Sequence, residues 1–80
     1  MRPENGILAR VPGPFISSGA ATLPRASDLQ EEGLLREVTV ETPELGSVRL
    51  TYVLSTYRHK RNRQWHWVAT RADFEQTPVT

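Results

Sequence analysis

The sequence predicts a mainly β protein, either a three- to four-stranded antiparallel meander or a small open barrel, and three observations carry that expectation. Residues 36–42 and 48–57 alternate apolar and polar side chains with period two. Aromatic and β-branched residues return over 65–75, and the intervening segments are short and rich in turn-forming or charged residues. Eighty residues make one modest core, and the absence of cysteine removes disulfides and thiolate metal sites as staples. A single domain over residues 1–80 is expected, stabilised by packing alone or by a partner.

Residues 1–26 hold four of the six prolines and three of the five glycines, with Val11-Pro12-Gly13-Pro14 and Ser17-Ser18-Gly19 as breakers. The expectation is an extended N-terminal arm. Ile7, Leu8, Val11, Phe15 and Ile16 give this arm apolar groups with which to cover one face of the later sheet, and part of it is a candidate fourth strand. Ser27 followed by Gln30 fits a capping box, Asp28, Glu31 and Glu32 favour the start of a helix, and Gly33 suits its end, so a short helix is expected over 27–33.

The first strand, 36–42, sets Val38 and Val40 on one side and Glu37, Thr39 and Glu41 on the other. Pro43 and Gly46 then supply a turn. In the second strand, 48–57, the even positions Val48, Leu50, Tyr52 and Leu54 form the apolar face. Face parity favours Val40 opposite Leu50, across a five-residue loop or a bulge. Residues 58–64 read as a loop leading to the third strand, 65–75. Between the second and third strands, partners whose numbers add to 122 keep charges off the apolar side: Leu54 meets Val68, Leu50 meets Ala72, Val48 meets Phe74, and Arg49 meets Asp73 as an opposite-charge pair. That register places Tyr57 opposite Trp65 and Ser55 opposite Trp67 on the second face.

The formal charge of +1 conceals a segregation. Six acids, Asp28, Glu31, Glu32, Glu37, Glu41 and Glu44, stand against Arg36 over residues 28–44, whereas residues 49–71 contain six bases and no acid. Such asymmetry implies either an acidic partner for the second segment or neutralisation of Arg49 and Arg71 by Glu37 and Glu41. The acidic stripe also reads as a nucleic-acid mimic or a surface for a basic partner.

Catalysis finds little support. His59 and His66 are the only histidines, neither belongs to a triad or metal-ligand spacing, and no glycine-rich phosphate loop is present. A non-enzymatic protein without cofactor or metal is expected. Met1–Leu8 lacks a basic start followed by an apolar run, and no window reaches the ~20 apolar residues of a membrane span, so a cytoplasmic protein that does not cross a membrane is expected.

The segment that invites a function is Tyr57 to Trp67. Arg58, Lys60, Arg61 and Arg63 can neutralise phosphates, and Tyr57, Trp65 and Trp67 can stack on bases or brace the loop. The main expectation is a nucleic-acid-binding module with a basic hairpin tip. The alternative is a protein-binding accessory factor, an inhibitor or regulator of a larger macromolecular machine, which would seat the tip on an acidic protein surface; a homodimer through an edge strand is a further option. Set against both, Trp65 and Trp67 are also candidates for the core, covered by the arm, with the loop charges a solvated tip.

Overall fold

The computed structural model describes residues 6–75 and is mainly β, as the sequence predicts: one open three-stranded sheet with short helices. Strands β1 (Leu35–Thr42), β2 (Gly46–His59) and β3 (Asn62–Phe74) pair antiparallel in the order β1-β2-β3. Among the described residues the sheet gains no fourth strand and does not close into a barrel.

The N-terminal segment departs from the extended arm expected. It forms helices α1 (Gly6–Arg10) and α2 (Gly13–Ala21). Pro12 and Pro14, read as breakers, occupy the N-cap and the first turn of α2, where a missing N–H costs nothing and a φ near −65° is already helical. Ile7, Val11 and Phe15 recur at i, i+4 and i+8, and with Leu8 and Ile16 they pack on the sheet. The first five residues of the expected arm lie outside the described residues.

Helix α3 (Ala26–Leu29) is shorter than the expected 27–33 and starts differently. Arg25, not Ser27, is its N-cap, no side chain caps it, and Gln30 ends it in the left-handed region at φ 48°. Gly33, at φ 90°, instead leads the chain into β1, its N–H bonding Leu54 O at 2.8 Å.

The β1–β2 hairpin is tighter than face parity suggested. Val40 faces Val48 and Val38 faces Leu50, across the loop Pro43–Leu45. Thr42 closes it: its hydroxyl donates to Gly46 O and accepts from Leu45 N–H, both at 3.0 Å. Gly46 takes φ 74°, a conformation open to glycine at little cost.

The β2–β3 register holds to the expected pairing only at one end. Val48 faces Phe74, Arg49 faces Asp73 and Leu50 faces Ala72, but a bulge between Thr51 and Tyr52 leaves Thr70 unpaired, and Leu54 then faces Trp67. A slip of one residue exchanges the faces of a strand. Beyond the bulge, Trp65 and Trp67 therefore lie on the side of Leu54 and Tyr52, and Val68 moves to the other side.

Among the described residues the helices pack mainly on that first side. Val48, Leu50, Tyr52, Leu54 and Ala72 are fully buried there, joined by Val11. Tyr52 anchors α2 by donating its hydroxyl to Ile16 O at 2.6 Å. Trp67 donates Nε1–H to Pro24 O at 2.9 Å, tying β3 to the segment between α2 and α3. Among the described residues no helix packs across the middle of the other side, the open face. Leu35, Val53 and Val68 cross it as one lateral row, with Leu35 57% and Val68 37% exposed.

Candidate nucleic-acid interface

The residues expected to form a seven-residue basic loop instead form the outer end of a two-stranded ribbon. Arg58 and His59 belong to β2, Asn62, Arg63 and Gln64 belong to β3, and only Lys60 and Arg61 turn the chain. Lys60 takes φ 58° to do so. Pairing with β1 stops at Val53, and backbone bonds from Gly33 N–H to Leu54 O and from Leu54 N–H to Leu34 O end that edge. From Ser55 to the turn, β2 has β3 as its only hydrogen-bonded strand neighbour. At about 3.3 Å per residue, this stretch is roughly 17 Å long, with Glu32 beside Thr56 and Arg63 within it.

The bulge at Thr70 decides what each face of the ribbon presents. On the helix side Arg58 faces Arg63 and Thr56 faces Trp65; on the open side His59 faces Asn62, Tyr57 faces Gln64 and Ser55 faces His66. Tyr57 and Trp65, expected to be cross-strand partners, are on opposite faces. Tyr57 is half-exposed and meets the His66 ring at 4.8 Å between centroids.

The tryptophans are neither fully core nor a free platform. Both are half-buried; Trp67 is hydrogen-bonded to Pro24, and the Arg63 guanidinium sits 6.0 Å from the Trp65 ring centre, at the edge of cation–π range. Of the seven residues singled out from the sequence, the structure thus brings together Arg58, Arg63, Trp65 and Trp67 on one side. It leaves Lys60 and Arg61 at the tip and sends Tyr57 to the reverse.

The electrostatics are uneven along the ribbon. Arg63 pairs with Glu32 at 3.7 Å, and Glu32 also lies 3.5 Å from the Thr56 hydroxyl. Among the described residues no carboxylate reaches ion-pair distance of Arg58, Lys60 or Arg61. Directly opposed like charges destabilise a ladder, so the Arg58–Arg63 pair costs stability that Glu32 only partly offsets.

The body of the open face is neutralised internally. Arg49 lies 3.8 Å from Glu37 and 3.9 Å from Glu75, and Arg71 bonds Asp73 at 2.9 Å. Asp73 is opposite Arg49 as expected, yet its ion pair goes to Arg71, its neighbour two residues back on the same face.

Asn62, Gln64 and Glu32 did not stand out in the sequence. Asn62 and Gln64 looked like loop filler because strand pairing was expected to begin only at Trp65, and Glu32 looked like a helix residue. Among the described residues, no group of three or more His, Cys, Asp or Glu side chains is placed to hold a metal ion, and no helix is long and apolar enough to cross a membrane. No protein-family model matches the chain, and neither the curated proteins nor the solved structures provide a match.

Proposed function

We propose that this chain is a non-enzymatic nucleic-acid-binding module that makes contact through the β2–β3 ribbon, acting in the cytoplasm. The supporting observation is the projecting tip, where Arg58, Lys60 and Arg61 stand exposed without a carboxylate partner among the described residues and Arg63 stands beside them. Clustered cations of this kind release counterions from a phosphate backbone on binding. Trp65 braces Arg63, and Tyr57 braces the opposite face.

The test is an anisotropy titration of labelled oligonucleotides with wild-type protein and an Arg58→Ala/Arg61→Ala variant, across salt concentrations. Each lost phosphate contact lowers the slope of log affinity against log salt by about one, so the double variant should bind more weakly with a slope reduced by about two. Unchanged affinity and slope would remove this reading.

A second reading, a protein-binding accessory factor, draws on the uncovered row Leu35–Val53–Val68. It predicts a protein complex that survives Arg58→Ala/Arg61→Ala and is lost on Val68→Lys, which leaves the covered core untouched.

A further inference from the structure

Resting on the reading above, we infer that the ligand of this ribbon is B-form duplex DNA, entered through the major groove with the His59–Asn62–Gln64 side of the ribbon toward the base edges. Two strands about 4.8 Å apart, joined by the turn Lys60–Arg61, make a blade that a groove roughly 12 Å wide admits. The deep, narrow major groove of an A-form RNA duplex does not admit it.

Side-chain chemistry divides in the same way. Asn62, Gln64 and His59 are exposed on one side of the blade and carry the donors and acceptors that read base edges, whereas Arg58 and Arg63 lie on the reverse, Arg58 exposed and available to a phosphate and Arg63 paired with Glu32. Lys60 and Arg61 follow the groove at the tip.

Single-strand binding by stacking would need rings aligned on one accessible surface. Here only Trp65 and Trp67 share a face, both half-buried, with Trp67 held to Pro24 and Trp65 beside Arg63, while Tyr57 sits against His66 on the opposite face. No continuous stacking track follows from that arrangement.

The experiment titrates full-length protein against four probes at one moderate salt concentration: a DNA duplex, the RNA duplex of the same sequence, one DNA strand alone, and the DNA duplex methylated at guanine N7. We expect the DNA duplex to bind at least about tenfold more tightly than the RNA duplex or the single strand, and N7 methylation, which crowds the major groove, to weaken it. Gln64→Ala and Asn62→Ala should alter preference among duplex sequences while leaving the salt slope unchanged. Equal or tighter binding to RNA duplex or single strand, or indifference to N7 methylation, overturns the groove assignment while the nucleic-acid reading stands. Absence of salt-dependent binding to every probe overturns both.

Discussion

Tyr52 reaches the backbone of α2 because position 19 has no side chain. A Cβ built on Gly19 would lie 2.5 Å from the Tyr52 hydroxyl oxygen, 3.4 Å from its ring and 3.5 Å from Leu50 Cδ1. The hydroxyl cannot yield, being buried and bonded to Ile16 O at 2.6 Å. Alanine is favoured over glycine inside a helix by about 1 kcal/mol, but overpacking a closed site costs about 1–3 kcal/mol. Gly19→Ala should therefore destabilise the protein, by up to about 2 kcal/mol. Gly13→Ala in the same helix meets nothing within 4 Å and should be neutral or stabilising by a few tenths of a kcal/mol. The urea midpoint should fall for Gly19→Ala and not for Gly13→Ala; a matching shift would refute the contact.

Removing the hydroxyl itself should also be costly. Tyr52→Phe leaves Ile16 O without that donor in a buried setting, which implies a loss of about 1–2 kcal/mol.

The same hydroxyl gives a pH dependence. Burial raises the Tyr52 pKa above its ordinary value of 10.0, and a backbone hydrogen bond with Ala20 offsets part of that rise. Folding thus favours the protonated phenol: the contribution is fully present below pH 10.0 and is lost as pH rises through the folded-state value. Wild-type stability measured in urea from pH 8 to 11 should fall above pH 10 more steeply than that of Tyr52→Phe. Parallel curves would place the titration elsewhere.

Lys60 offers a case in which stability and function should separate. Its φ of 58° lies in a region that costs an L-residue about 1–2 kcal/mol. Lys60→Gly should relieve that strain, raise stability by about 0.5–1 kcal/mol after the entropic cost of glycine, and lower the salt slope of nucleic-acid binding by about one. A variant that is less stable would show that the lysine side chain contributes to the turn.

Arg58→Thr should behave similarly. It removes the like-charge pair with Arg63 and supplies a β-branched residue to a strand, so a gain of about 0.2–1 kcal/mol is expected together with weaker DNA binding. Thermal unfolding and anisotropy on the same sample check both halves.

What was legible in the sequence followed from period-two alternation. Val48, Leu50, Tyr52 and Leu54 announced the buried face of β2, and all four are fully buried. Half of the β2–β3 register could be argued from keeping charges off that face. The bulge could not: Ala69-Thr70-Arg71 contains no glycine or proline, and its one visible anchor is a 3.3 Å bond from the Thr70 hydroxyl to Thr51 O, a contact that exists only after the strands pair. That extra residue turned both tryptophans toward the helices and undid the aromatic cluster expected on the open face. The helices of the arm were missed for a different reason. Prolines at 12 and 14 read as breakers in sequence, and they mask the helical i, i+4, i+8 spacing of Ile7, Val11 and Phe15. The basic residues of the tip were visible from composition, but their division between two faces required the pairing.

The segregation of charge along the strands has a consequence for encounter rather than affinity. The molecule extends 51 × 32 × 21 Å. Toward the end of the sheet away from the ribbon tip, Glu37, Glu41, Glu44, Asp73 and Glu75 outnumber Arg10, Arg36, Arg49 and Arg71 by one. The tip carries Arg58, Lys60, Arg61 and Arg63 against Glu32, so charge is distributed unevenly along the sheet despite the net charge of +1. On the nucleic-acid reading proposed above, that asymmetry would turn the molecule tip first in the field of the polyanion before contact, and fewer collisions would be wasted on wrong orientations. Salt that screens beyond about 10 Å would slow that approach, even for a variant whose bound contacts were left intact.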